Sequence, residues 1–376
     1  MNLAVPFGFY GCGNIGDEST LQGFARLTHV YDPDARVWVG SGNPSHTARV
    51  EPSLKYFHAA DFDPRRWWAK RCASAHVFAG GTPIMDLEDG WPLTIVHAIV
   101  SAARAARKPV AFIGVGSENL ADRARDLVAG VLASGVAHWS VRSDCDKERL
   151  IGCGARPESV TVAADMAWLL NSQSAAFGQK YLADLGVKAE TSYVGVNINS
   201  EAHVLDREPR LIEKLSRFLD TLVERRGFRI LFLCNEVREE ASFDKATSLR
   251  IASSMQRKES AFLVPNEYFT PQQMMSLIAC CAFTVSTRYH FSLFSALQKV
   301  PFIALERSDK VSDLCRELSW RYRSSIAGIE SGQLADAFFE MERRAPDLRS
   351  HLGENLGTMR ERAVKNIDAL AAVNVN

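Results

Sequence analysis

The sequence has no surplus of charge. Its 376 residues carry 44 Lys plus Arg against 44 Asp plus Glu. That balance excludes a protein that wraps nucleic acid, because such binding needs surplus cations to displace counterions. It leaves room for a small basic pocket. The sequence also lacks an uncharged apolar run of about 18 residues. Its most apolar helix candidate, Pro92 to Ala106, carries His97 and Arg104, so no spanning helix is expected. The first 18 residues have no basic region and no small-residue cleavage site and read as a first strand, which predicts a cytoplasmic protein. Cysteine is sparse: eight are scattered at 12, 72, 145, 153, 234, 280, 281 and 315, with no C-x-x-C pair. Reduced, mostly buried thiols are expected. No His/Cys/Asp cluster has metal-ligand spacing, and no G-x-S-x-G elbow occurs, so neither a metal site nor a serine hydrolase is expected.

What is present is a long alternation of strands and helices. Strand candidates are Leu3–Tyr10, Arg36–Val39, His76–Phe78, Pro109–Val115, Ala137–Val141 and Val160–Ala163. Helix candidates lie at Glu18–Leu27, Leu93–Arg107, Asp122–Ala133 and Cys145–Ile151. The pattern restarts after a polar stretch, Asn171 to Thr191, with strands at Tyr193–Ile198, Arg229–Cys234, Ala261–Val264, Phe283–Ser286 and Pro301–Leu305. Helices are expected there at Arg210–Glu224, Pro271–Ala279, Phe291–Leu297 and Val311–Leu318, followed by a helical tail. Several strands are apolar throughout, as parallel strands buried on both faces are. The fold class expected is α/β, with two doubly wound, Rossmann-like domains facing a cleft. The boundaries expected are 1–175, 190–345, and a tail 346–376 that returns to the first domain.

Glycine-rich turns follow three strands of the first half. Gly11-Cys12-Gly13-Asn14-Ile15-Gly16-Asp17-Glu18 matches G-x-G-x-x-G, yet a nicotinamide site is disfavoured. Asp17 and Glu18 would sit in the first helical turn and repel a diphosphate, and the second strand ends in Gly40-Ser41-Gly42 without an acid to hold a ribose. A tight turn with acidic capping and a substrate-binding loop both remain open. Ala79-Gly80-Gly81-Thr82-Pro83 and Gly114-Val115-Gly116-Ser117 are the other two turns, and the three together suggest a binding edge.

The second half has one polar segment that stands apart. Ser286-Thr287-Arg288-Tyr289-His290 leads from an apolar strand into an apolar helix. An Arg at such a turn can clamp a carboxylate or phosphate, and a His two residues on can trade a proton near neutral pH. A salt-bridged Arg beside a hydrogen-bonded core His is the alternative. His76, His97 and His138 read as structural. Trp67-Trp68 beside Arg65 and Arg66 reads as an interface loop or, more simply, as core packing.

From about Phe7 to Trp320 these residues resemble the polysaccharide pyruvyl transferase family. Gly8 to Glu18 is similar to its G-x-x-G-x-x-N-x-G-D-E signature, and Ala79-Gly80-Gly81 to its glycine turn. Lys108-Pro109-Val110 leading to Gly114-Val115-Gly116 is similar to its next strand. Val141-Arg142-Ser143-Asp144 and Ala164-Asp165 are similar to its V-R-D and A-D blocks, Ser286 to His290 to S-x-R-x-H, and Ser308-Asp309-Lys310-Val311 to D-x-K-V.

The resemblance implies a GT-B-like fold and transfer of the enolpyruvyl unit of phosphoenolpyruvate onto a sugar, closing a pyruvate ketal. It implies His290 and Arg288 as catalytic residues, and donor binding by Arg288, Ser286, Thr287, Lys310 and Arg307. It implies acceptor binding by Gly13, Asn14, Gly16, Asp17, Glu18, Gly80, Gly81 and Thr82. Phosphoenolpyruvate would be a co-substrate, with no cofactor and no metal. The partners expected are this donor and a saccharide acceptor, not nucleic acid. A lipid-linked acceptor would bring the protein to the inner membrane face, and a homo-oligomer stays open. Two positions depart from the family pattern. Many members carry an Arg near Asn199 and a His near Asn235; Arg307, Lys310 or Arg238 could supply the missing cation. A nucleotide-sugar glycosyltransferase of GT-B type and a non-catalytic member in polysaccharide assembly are the rival readings.

Overall fold

The computed structural model describes the chain except residues 61–62, 87–89, 119, 121, 189–191, 242 and 375–376, and except the side chains of residues 67, 68, 70, 131, 134 and 202. The Trp67-Trp68 reading therefore lies outside the described residues. The chain forms two units. One comprises Met1–Leu170 with Thr358–Asn376, the other Asn171–Gly357.

The first unit is built on seven parallel strands: β1 (Asn2–Val5), β2 (Arg36–Ser41), β3 (Lys55–His58), β4 (Ala75–Ala79), β5 (Val110–Val115), β6 (His138–Val141) and β7 (Val160–Val162). Their order is β3-β2-β1-β4-β5-β6-β7. Neighbouring residues of one strand enter opposite cores. Val77 and Ala111 pack with Leu3, Leu21 and Phe24 on one face. Phe78 and Phe112 pack with Val96, Val100 and Trp139 on the other. This is why the strand sequences are apolar without alternation. The tail completes the first face: Leu370 and Val373 join that core, and buried Asn366 donates to the Ala164 carbonyl at 2.8 Å.

The second unit has six parallel strands: β8 (Tyr193–Asn197), β9 (Arg229–Phe232), β10 (Ala261–Leu263), β11 (Phe283–Ser286), β12 (Phe302–Glu306) and β13 (Arg323–Ser325). Their order is β10-β9-β8-β11-β12-β13. In each sheet the chain builds outward on one side and then crosses to the other. The reversals fall between β1 and β4 and between β8 and β11, the places where doubly wound sheets open a crevice at the carboxyl ends of their strands.

Several elements differ from expectation. β1 stops at Val5, because Pro6 and Gly8 end it and the chain then loops to the helix Ile15–Tyr31. That helix starts earlier than Glu18, since Asn14 caps it by accepting from the Gly16 N–H at 3.0 Å. The helix expected over Asp122–Ala133 is Asp122–Leu127 continued by a widened π turn, Val128–Leu132. The edge strands β3 and β13 and the helices Pro44–Val50, Ala176–Asp184 and Asp244–Ser254 have too few apolar residues to stand out in sequence. All eight cysteines are free thiols; four are buried and two half-buried, while Cys12 and Cys72 are exposed. No helix among the described residues is long and apolar enough to cross a membrane.

Gly23 lies mid-helix in Ile15–Tyr31, where propensity alone would make Gly→Ala stabilising by about 1 kcal/mol. A Cβ there would stand 2.0 Å from the Met166 carbonyl oxygen. Gly23→Ala is therefore expected to destabilise the protein by about 1–3 kcal/mol in chemical denaturation. A gain in stability would contradict this packing.

Candidate active site

In the second unit, polar residues gather where β8, β9, β11 and β12 end. Asp244, fully buried at the start of the helix Asp244–Ser254, is the hub. Its Oδ2 accepts from Asn197 Nδ2 at 2.9 Å and from the Asn235 N–H at 2.8 Å. Its Oδ1 accepts from Arg288 Nε at 3.0 Å and Nη2 at 2.8 Å. Arg288 Nη2 also donates to Glu236, whose other oxygen accepts from Arg238 Nε at 2.5 Å. None of these bonds uses Arg288 Nη1. Burial works against the charge of Arg288, but Asp244 and Glu236 outweigh it and hold the guanidinium pKa above its ordinary value.

Ser286 and Thr287 are fully buried and serve the turn itself. Ser286 Oγ accepts from the Arg288 N–H at 2.8 Å, and Thr287 Oγ1 accepts from the Asn199 N–H at 2.9 Å. Both hydroxyls thus help to shape the loop that carries Arg288. Arg288 caps the helix Tyr289–Leu297, and His290 lies half-buried in its first turn, against the rings of Tyr289 and Phe294.

Arg307 reaches the same place from the end of β12. Its Nη1 donates to Asn199 Oδ1 at 3.1 Å and to Glu201 Oε1 at 3.0 Å. Burial works against ionisation of Glu201, but Arg307 and Arg288 outweigh it and keep that carboxyl below its ordinary pKa. Three buried donors here have no partner among the described residues: Asn199 Nδ2, Arg307 Nε and Ser308 Oγ. Buried donors without acceptors are costly, so these three atoms are able to take an acceptor. Lys310 is half-buried in the first turn of the helix Asp309–Glu317. Arg238, about half exposed, pairs with Glu236 and lies over the Phe243 ring.

The first unit has its own polar centre, near the reversal between β1 and β4. Arg142, which follows β6, donates from Nη1 to Asp165 Oδ2 and from Nη2 to Thr82 Oγ1, both at 3.1 Å. Asp165 also accepts from Thr20 Oγ1 at 3.2 Å and from the Ala167 N–H at 2.9 Å. The structure therefore joins four sequence blocks, 14–20, 79–82, 142 and 164–165, in one buried network. Gly80 and Gly81 have φ of +69° and +70°, and a Cβ on Gly80 would meet the Thr20 methyl at 1.9 Å. Only glycine lets this turn lie against the helix. Glu18 is fully buried and accepts from the Gly11 N–H at 2.6 Å, so it braces the loop and has no surface of its own. Asp17 is half-buried and lines a small pocket with Phe7, Phe9, Gly81 and Thr82. Gly13, Asn14 and Gly16 shape the helix start beside it, but they do not line that pocket.

Of the expected residues, then, Arg288 and Arg307 come together with Asn199, and Asp17, Gly80, Gly81 and Thr82 come together in the other unit. Asp244, Glu236 and Glu201 are the residues that sequence reading omits. Replacing Arg288 by Ala would leave Asp244 and Glu236 buried without their cation. Arg288→Ala is expected to cost about 3–5 kcal/mol of stability in urea denaturation; a loss under about 1 kcal/mol, the range of exposed pairs, would contradict the clamp described.

Comparisons with known proteins agree with this architecture. The UDP-GlcNAc 2-epimerase from Neisseria meningitidis, solved bound to UDP-GlcNAc, aligns with 98% of this chain and 99% of its own at a TM-score of 0.66 and 10% identity. HepE from Anabaena, solved with UDP and glucose, aligns over 98% and 97% at a TM-score of 0.62 and 12% identity. At such identities the likeness concerns the fold, which is GT-B-like with two parallel-sheet α/β domains. The amylovoran biosynthesis protein AmsJ of Erwinia amylovora is 21% identical over 252 residues, 65% of this chain and 59% of that protein. The chain thus spans about three-fifths of the length of this curated relative. The model of the family described as polysaccharide pyruvyl transferase matches residues 14–309, which takes in both polar centres. The chain belongs to the polysaccharide pyruvyl transferase family.

Proposed function

We propose that this protein moves the enolpyruvyl group of phosphoenolpyruvate onto a pair of sugar hydroxyls, releasing inorganic phosphate and leaving a pyruvate ketal on a glycan or lipid-linked saccharide. The observation that carries the reading is the Arg288 centre. One edge of its guanidinium is fixed by Asp244 and Glu236, and in the same polar centre Asn199 Nδ2, Arg307 Nε and Ser308 Oγ lack acceptors among the described residues. An ester of phosphate and carboxylate supplies acceptors to all of them. The ion pairs here nearly cancel, with Arg288, Arg307 and Arg238 against Asp244, Glu236 and Glu201. The charge of the donor would therefore be met by Arg288 Nη1, the Nε edge of Arg307 and Lys310.

The chemistry balances with these groups. His290 as imidazolium gives a proton to C3 of the enol, which becomes a methyl group, and C2 becomes electrophilic. A sugar hydroxyl adds to C2 and loses its proton. The C2–O bond to phosphate then breaks, phosphate departs with the bonding pair, and Arg288 and Arg307 stabilise the charge it gains. The second hydroxyl closes the ring and loses its proton. Of the two hydroxyl protons, one restores His290 and one leaves on phosphate. Asp17, Gly80, Gly81 and Thr82 of the first unit are the proposed acceptor contacts, with Gly13, Asn14, Gly16 and Glu18 shaping them. A lipid-linked acceptor would bring the protein to the cytoplasmic face of the membrane.

Thermal denaturation with phosphoenolpyruvate, UDP-GlcNAc or UDP-glucose tests the donor. A ligand at about 100 times its Kd stabilises by about 2.7 kcal/mol. That is a rise of several degrees in Tm, at about 2–4 °C per kcal/mol for a domain of this size. The rise is expected with phosphoenolpyruvate. Stabilisation by a UDP-sugar alone would point to a glycosyltransferase, and none at all to a non-catalytic member. His290→Gln is expected to keep the phosphoenolpyruvate shift while phosphate release with a glycan acceptor falls by at least about 10²-fold. Unchanged release would remove His290 from the mechanism.

A further inference from the structure

Two side chains of the C-terminal tail reach the strand ends that carry the first unit's polar centre. The tail, Thr358–Asn376, belongs to the first unit and lies beyond residues 14–309, which the family model matches. Asn366 is fully buried and starts the short helix Ile367–Val373. An Asn at that position ordinarily caps its own helix by accepting from an N–H of the first turn. Here the side chain makes no such bond. Its Oδ1 accepts from Ser140 Oγ at 2.6 Å, and its Nδ2 donates to the carbonyls of Ala164 and Ala363, both at 2.8 Å. Arg362, half-buried one turn earlier, donates from Nη2 to the Ala163 carbonyl at 3.0 Å and to the Arg142 carbonyl at 3.3 Å.

The groups they hold are the ends of three neighbouring strands. Ser140 is in β6, and its Oγ also accepts from the Gly114 N–H of β5 at 2.9 Å. Arg142 follows β6, and Ala163 and Ala164 follow β7. From these ends two routes lead to the glycine turn after β4. Along β5, the Gly80 N–H donates to the Ile113 carbonyl at 2.7 Å, and the Gly116 N–H to the Gly81 carbonyl at 2.8 Å. Through Arg142, whose backbone Arg362 holds, the guanidinium reaches Thr82 Oγ1 and Asp165. Gly114 has φ of +63°, and a Cβ there would stand 3.2 Å from Asn366 Oδ1. A leucine of similar volume would pack in place of Asn366 with no polar atom to desolvate. The amide instead fixes where β6 and the segment after β7 stand relative to each other.

We propose that Arg362 and Asn366 are positioning residues of the acceptor site, holding the ends of β5, β6 and β7 so that Gly80, Gly81 and Thr82 are presented in one arrangement. That the turn serves an acceptor rests on the pyruvyltransferase reading; the bracing of the turn does not. Neither residue touches the sugar. They act on it through Ser140, Arg142 and residues 114–116, so their loss loosens the turn and leaves the donor centre of the second unit as it is.

Hydrogen exchange read by mass spectrometry on the full-length protein tests the brace. Wild type is compared with Asn366→Leu, which keeps the buried volume, and with Arg362→Met, which alters a half-buried side chain. In each variant, peptides spanning residues 80–82 and 114–116 are expected to exchange at least about tenfold faster, while those of β2 and β8 stay within about twofold. Arg362→Lys, which keeps a donor, should restore most of the protection. Phosphate release from phosphoenolpyruvate is then measured with methyl β-D-glucopyranoside, methyl β-D-galactopyranoside or methyl β-D-mannopyranoside as acceptor. Asn366→Leu and Arg362→Met should raise the glycoside KM at least about fivefold and change the phosphoenolpyruvate KM by less than about twofold. Unchanged exchange at the glycine turn in the folded variants, or a rise shared equally by β2, would overturn the brace. Local loosening with an unchanged glycoside KM would overturn its role toward the acceptor. Absence of wild-type phosphate release with all three glycosides, with the local loosening as expected, would instead count against the pyruvyltransferase reading alone.

Discussion

The contact between Asp244 and Arg288 is the constraint on which the second unit's polar centre depends. One carboxylate gathers Asn197 from β8, the backbone after β9 and the guanidinium after β11. Three strand ends are thereby tied at the point where strand order reverses. A buried ion pair of this kind adds little net stability over a well-packed apolar alternative, because desolvation consumes most of the Coulomb attraction. What it supplies is a fixed direction. The guanidinium stays charged and oriented before any ligand arrives, which is the condition for stabilising charge that develops later.

The first unit repeats the device with other residues. Asp165 gathers Arg142, Thr20 and the Ala167 N–H, and Arg142 in turn fixes Thr82 beside Gly80 and Gly81. Each doubly wound sheet thus carries a buried Asp–Arg pair supporting the loops at its reversal. Gly116 belongs to the same arrangement, since a Cβ there would lie 1.9 Å from the Arg142 guanidinium.

Much of this is legible in the sequence, for reasons that can be named. Apolar runs such as Val110-Ala111-Phe112-Ile113 announce central parallel strands, and S-x-R-x-H marks the turn that holds Arg288. Two kinds of feature escape. Polar edge elements such as β13, Arg-Ser-Ser, and the helix Asp244–Ser254 owe their structure to neighbours more than to their own pattern. Partners distant in sequence also escape: Asp244 and Glu236 lie close to Glu239 and Glu240, and nothing local distinguishes the two acids that meet Arg288. For the same reason Glu18, Ser286 and Thr287 read as ligand contacts, although Glu18 and Ser286 accept from backbone N–H groups of their own loops and Thr287 accepts from the Asn199 N–H after β8.

The central claim is that the edge of Arg288 left open by Asp244 and Glu236 receives the donor. A crystal structure of the protein with phosphoenolpyruvate tests it most directly. The account predicts an oxygen of the phosphate or carboxylate within hydrogen-bond distance of Arg288 Nη1, with Arg307 Nε or Asn199 Nδ2 donating to the same molecule. Phosphoenolpyruvate bound away from the ends of β8, β11 and β12, with Arg288 in contact only with its two carboxylates, would contradict it.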